Sequence, residues 1–212
     1  MAHLTRSLPP MNQFLLLAST ALVLLGPSAC RKDEAATVPT AGPYFPNAVG
    51  NEWRYAVYDS VSRQASALTV RVVGTATLSD GQPATFWHYA FTSRVDTQYV
   101  AVHGDIVRAY AGRDARRSER VVWAVLPLQV GAHWQSVAQT SRVVGQGPVT
   151  TPAGSFAQTL TVHHEDARCC NYHRREDSGL APGVGLVRRG RVETGFGHEN
   201  SSWTLLSYQV AP

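Results

Sequence analysis

The sequence predicts an all-β protein: a curved antiparallel sheet, or incomplete barrel, of roughly ten strands built from two similar halves. Three observations carry this expectation. Large apolar and polar residues alternate along short segments, as they do on half-buried strands. Turn-forming Gly, Asp and Pro separate those segments, and no helical periodicity lies between them, which argues against βαβ units. Three blocks of sequence also recur in the same order in the two halves.

The chain opens with an export signal. Arg6 supplies a positive n-region, and Phe14 to Leu25 is an apolar run of about a dozen residues, short of the roughly 20 that a transmembrane helix needs. Ser28 and Ala29 then lead into Cys30, a cleavage site that resembles the lipobox, although Pro27 stands where that motif usually carries Leu. Residues 1–29 are therefore expected to be a removable signal-peptide helix, with Cys30 acylated by palmitate-type chains. Arg31-Lys32-Asp33-Glu34 resembles the export tag behind the lipidated cysteine of Bacteroidota surface lipoproteins. Residues 30–43 read as anchor and tether, and 44–212 as a single β domain.

Within that domain, Trp53 to Tyr58 alternates, and Ala67 to Leu78 is β-branched and ends at the turn Ser79-Asp80-Gly81. Thr85 to Phe91 is aromatic. Tyr99 to Val107 reads as a hairpin about Gly104-Asp105. His133 to Val144, Phe156 to His164, Val184 to Val192 and Trp203 to Val210 continue the pattern. The half-repeats span about 44–122 and 123–212. Phe45-Pro46…Val49-Gly50…Trp53 aligns with Leu126-Pro127…Val130-Gly131…Trp134 at an offset of 81. Arg71-Val72-Val73-Gly74 aligns with Arg142-Val143-Val144-Gly145 at 71, and Gly104 with Gly185 at 81 again. The shorter middle offset implies about ten residues lost in one loop and regained in another.

Three phrases carry a family resemblance: Tyr44-Phe45-Pro46…Val49-Gly50-Asn51-Glu52-Trp53-x-Tyr55, Thr151-Pro152-Ala153-Gly154-Ser155-Phe156, and Ala181-Pro182-Gly183-Val184-Gly185-Leu186-Val187-Arg188. Together they resemble a group of Bacteroidota-type lipoproteins whose domains are similar to the half-barrels that carry lipoproteins across the periplasm. The resemblance implies a fold and an envelope location, and it brings no catalytic residue. Its motifs are turns and strand starts: Pro46 fixes φ, Gly50 permits a close turn, and Pro152 with Gly154 forms a hairpin.

The full chain carries a net charge of +4, with no nucleic-acid motif and no nucleophile-base, phosphate-loop or dinucleotide signature. It is expected to be neither an enzyme nor a cofactor protein. Asp177-Ser178-Gly179 reads as a turn, and Glu193 and Glu199 as solvated. Arg113, Arg116, Arg117 and Arg120, with Arg188, Arg189 and Arg191, read as solvated clusters near loops or sheet edges. The segment His163-His164-Glu165-Asp166-Ala167-Arg168-Cys169-Cys170-Asn171-Tyr172-His173 holds candidate metal ligands in His163, His164, Cys169, Cys170 and His173. Adjacent histidines on a strand point to opposite faces, however. Cys169 and Cys170 are also candidates for a strained vicinal disulfide.

The leading functional expectation is an outer-membrane lipoprotein, surface-exposed rather than periplasm-facing, whose concave face binds a lipid-like or apolar molecule. Tyr55, Trp87, Tyr89, Phe91, Trp123, Trp134 and Trp203 are the candidates for that face or for the core. A scaffold or adhesion module that recruits envelope protein or glycan, and a metal-handling hairpin, are the alternatives.

Overall fold

The computed structural model describes residues 42–114, 120–137, 139–167, 172–195 and 198–211. The expected signal segment, Cys30, Arg116, Arg117, Cys169 and Cys170 lie outside the described residues. Among the described residues the domain is all-β, with twelve strands: β1 (Glu52–Asp59), β2 (Gln64–Thr77), β3 (Pro83–Phe91), β4 (Val95–His103), β5 (Ile106–Tyr110), β6 (Arg120–Val125), β7 (His133–Ser136), β8 (Gln139–Thr151), β9 (Gly154–Ala167), β10 (His173–Ala181), β11 (Gly185–Thr194) and β12 (Glu199–Gln209). They form one antiparallel sheet in the order β6-β5-β4-β3-β2-β1-β12-β11-β10-β9-β8-β7. Each half is thus a six-stranded meander, and the β1–β12 ladder joins the two.

A sheet this wide curls on itself. Its outer strands, β6 and β7, meet at a seam with side-chain bonds across it. The Val122 amide donates to Ser136 Oγ at 2.9 Å, and Trp134 Nε1 donates to the Val122 carbonyl at 3.1 Å. The result is a nearly closed barrel.

The internal repeat appears in the backbone hydrogen bonds. Gly50 donates to the Val72 carbonyl and Val72 to the Asn51 carbonyl, both at 2.9 Å. Gly131 donates to Val143, and Val143 to Ala132, at the same 2.9 Å. Gly50 and Gly131 have φ of 96° and 90°, a conformation that favours glycine. A bulge follows in each half, between Val72 and Gly74 and between Val143 and Gly145. The missing residues come from the β7–β8 hairpin, where a four-residue β7 replaces the eight-residue β1. Five of them return in β9, 14 residues against nine in β3.

Three elements differ from the sequence expectation. His133 to Val144 is two strands, because the chain reverses at Val137, an exposed β-branched residue at φ 50° that a strand-like composition conceals. Arg120–Val125 is a strand, although it follows an arginine-rich stretch. Asp177-Ser178-Gly179, expected as a turn, lies inside β10 and pairs with both β9 and β11. Ser178 faces the barrel interior, while Asp177 points outward.

The core is the inward set of the meanders: Trp53, Tyr55, Leu68, Val72, Val100, Val107, Val143, Val162, Val187 and Leu205 among others. The entering segment closes one end. Phe45 stacks on Trp123 at 6.4 Å, and the Gly183 amide donates to the Pro43 carbonyl at 2.7 Å. Gly185 (φ 87°) brings β11 so near this segment that a Cβ there would lie 3.2 Å from Pro46.

Candidate functional site

Strand pleating turns alternate residues inward, and the ladders set those residues in rows around the barrel. One row runs Val143–Val162–Ser178–Arg189–Trp203–Val57 across β8, β9, β10, β11, β12 and β1. The next, nearer one end, runs Ser141–His164–Glu176–Arg191–Ser201–Asp59. The row beyond that is Gln139–Asp166–Arg174–Glu193–Glu199. The interior therefore changes from apolar to charged along its length, mainly on the strands of the second half.

Between these walls lies a cavity of about 560 Å³, within the range of small-molecule sites. Its apolar part is lined by Trp53, Tyr55, Trp87, Tyr89, Phe91 and Trp203, and Phe45 with Trp123 forms its floor. The rings are ordered by mutual packing and by hydrogen bonds. Trp53 stacks on Trp87 at 5.4 Å, and Trp87 meets Trp123 edge-on at 5.8 Å. Trp53 Nε1 donates to the Val184 carbonyl at 2.7 Å, and Tyr55 Oη to the Leu186 carbonyl at 2.9 Å. Burial pushes the Tyr55 and Tyr89 phenols up, so both stay neutral.

The polar part is a set of ion pairs. Arg189 Nη2 donates to Glu176 at 2.6 Å, and its guanidinium lies over the Trp203 ring at 4.3 Å. Arg191 bonds Glu193 at 2.5 Å and approaches Glu199 at 3.2 Å. Arg174 lies 3.8 Å from the fully buried Asp166. Burial would raise Glu176, but Arg189 and His164 more than offset it, so the carboxyl is held below its ordinary value. Arg191 likewise holds Glu193 down against burial. Burial lowers the His164 imidazole, which sits 2.8 Å from Ser141 Oγ, so the ring is neutral near pH 7. Arg94, Asp96 and Asp59 stand at the rim, with Arg94 bonded to Asp96 at 3.0 Å.

Of the aromatic residues expected on the concave face, Tyr55, Trp87, Tyr89, Phe91, Trp123 and Trp203 line the cavity. Trp134 is buried at the β6–β7 seam instead. Arg189, Arg191, Glu193 and Glu199, expected in solvent, carry the internal ion pairs; Arg188 alone of its cluster faces out. Arg113 is exposed and bonds the Thr77 carbonyl at 3.1 Å. The strands separate the candidate metal ligands. His164 points inward to Ser141, while His163 bonds Asp177 at 2.8 Å. His173 pairs with Ala167 and bonds Glu165 at 2.9 Å. His163 is thus four residue pairs from His173 along the β9–β10 ladder, about 14 Å at strand spacing. No group of three or more His, Cys, Asp or Glu among the described residues is placed to hold a metal ion.

No protein-family profile matches the chain, and no curated protein matches it. Two solved structures are similar in fold. One is a candidate exported protein with a YmcC-like fold from Bacteroides fragilis, at a TM-score of 0.50 and 13% identity, over 79% of this chain and 99% of that one. The other is a candidate lipoprotein from Parabacteroides distasonis, at a TM-score of 0.49 and 13% identity over the same shares. At 13% identity the likeness to the exported Bacteroides protein is one of fold alone.

Proposed function

We propose that this chain is a lipid-anchored envelope protein, tethered through Cys30 to the outer membrane, whose barrel encloses an apolar or amphipathic small molecule without chemically altering it. The cavity carries the reading. It is about 560 Å³, walled by aromatic rings, and open at a charged rim. A barrel built only as a scaffold gains stability by filling such a space, because each lining side chain loses dispersion contacts beside a void. The export signal, the lipobox-like Cys30 and the fold shared with an exported Bacteroides protein support the envelope location.

The test is native mass spectrometry on residues 30–212 carrying Cys30→Ser, which contain the compact unit Ala35–Pro212. An added mass that organic solvent releases is expected. A chain at its bare mass that also fails to bind a fluorescent apolar probe refutes cavity binding. The anchor is tested separately by feeding cells an alkyne-tagged palmitate, which should label the natural chain and leave Cys30→Ser unlabelled.

A further inference from the structure

We infer that the cavity is matched to an amphiphile whose head is uncharged and both donates and accepts hydrogen bonds, an amide or hydroxyl head in place of a carboxylate or phosphate. The inference rests on the reading that the cavity holds a ligand, and it concerns the head alone.

Charge balance at the polar end is the first support. The cations lining the cavity are Arg94, Arg189 and Arg191, and the acids are Asp59, Asp96, Glu176 and Glu199. Each of these guanidiniums is already committed: Arg94 to Asp96 at 3.0 Å, Arg189 to Glu176 at 2.6 Å, and Arg191 to Glu193 at 2.5 Å. Glu176 and Glu193 are held in the ionised form by these partners. An anionic head would enter a site whose positive charge is spent and whose lining acids outnumber its bases. Like charges in a partly desolvated space repel strongly.

The second support is what remains unpaired. Arg189 Nε, Arg191 Nε and Gln98 Oε1 are buried and have no hydrogen-bond partner among the described residues, and all three residues line this cavity. Arg191 Nε lies 3.2 Å from a Glu199 carboxylate oxygen, which leaves Arg189 Nε as a donor and Gln98 Oε1 as an acceptor without a charged neighbour at that atom. Gln98 stands opposite Trp87 across β3 and β4, and Arg189 opposite Trp203 across β11 and β12, so each lies beside the aromatic wall. A buried group left without a partner is costly. A head that accepts from Arg189 and donates to Gln98 satisfies both without adding charge. The apolar tail then follows Tyr55, Trp87 and Phe91 inward.

The experiment compares dodecanamide, monododecanoylglycerol and dodecanoic acid, which share one chain, by titration into residues 30–212 with Cys30→Ser at pH 7.5. The amide and glycerol ester are expected to bind at least about tenfold more tightly than the acid, the scale of one charge-assisted hydrogen bond gained or lost. Glu176→Gln, which leaves Arg189 without its counter-charge, should strengthen acid binding about tenfold. Gln98→Leu, a milder change, should weaken the amide about fivefold and leave the acid unchanged; melting curves confirm that both variants are folded. An acid that binds the natural sequence as tightly as the amide overturns the head inference and leaves cavity binding standing. If none of the three binds, the cavity reading itself falls.

Discussion

The Arg189–Glu176 pair offers the most direct perturbation of the barrel interior. Arg189→Met keeps an unbranched stem against Trp203 but removes the charge, leaving Glu176 with its carboxylate buried beside the cavity. Side-chain exposures of 18% and 16% place the pair well inside the fold. Breaking a buried pair costs about 3–5 kcal/mol, and the water-accessible mouth, with Arg174 nearby, reduces this to about 2–3 kcal/mol. For a domain of this size, that is a fall in Tm of about 5–10 °C. The loss should depend on pH. In the natural chain the Glu176 pKa is lowered, so its stabilisation is present above the ordinary value of 4.5 and fades as pH falls through the lower, folded value. In Arg189→Met, burial dominates and raises the carboxyl, so the penalty is greatest at neutral pH and shrinks on acidification as Glu176 takes up a proton. Adding Glu176→Gln should recover at least half of the lost stability. Thermal melts between pH 4 and 8 decide the matter. A pH-independent loss, or a double variant no more stable than the single, would refute an internal ion pair.

Other substitutions probe the duplicated architecture. Gly74→Ala should destabilise by about 1–2 kcal/mol, because its Cβ would lie 2.7 Å from the Phe86 ring, whereas the equivalent Gly145→Ala meets nothing within 4 Å and should be neutral or slightly stabilising; urea denaturation checks both. Gly185→Ala combines a φ of 87° with the approach to Pro46 and should cost about 2–3 kcal/mol in the same assay. Ser136→Ala removes the acceptor for the Val122 amide, so hydrogen exchange should quicken in β6 while β1 and β12 stay protected.

Much of the fold was legible in the sequence because period-two alternation and turn chemistry are local signals. β1 alternates Trp53, Tyr55 and Val57 inward against Arg54, Ala56 and Tyr58 outward, and its boundaries follow from that pattern. β10 was not legible for the opposite reason. Arg174, Glu176 and Ser178 face inward, so the strand carries no apolar alternation at all. Arginines and glutamates ordinarily occupy solvent, and only the three-dimensional pairing of Arg189 with Glu176 shows that these face a cavity. Six of the seven aromatic candidates do line it; Trp134 does not, because the seam it packs against joins strands at opposite ends of the sheet order. That closure is a long-range property, which composition and spacing do not encode.

The duplication explains the shape of the interior, and the divergence of the halves explains its polarity. Equivalent turns, bulges and hairpins in both meanders give a barrel with two similar walls. Apart from Trp203, every Phe, Tyr and Trp lining the cavity comes from β1–β6 and the segment that leads into them, while His164, Glu176, Arg189, Arg191 and Glu199 all come from β7–β12. Two identical halves would have produced a uniform interior, either a dry core or a polar channel. An apolar wall facing a charge-balanced one instead makes a site with two ends, and orientation of the bound molecule then follows from the protein. A tail buries most of its aromatic contact against the first half, and a head finds its charged neighbours on the second, with Gln98 of β4 the hydrogen-bond partner that the first half adds. The substitutions that would reverse this orientation lie in β10 and β11, so variation in ligand among proteins of this fold should concentrate in those two strands and spare the turns that build the barrel.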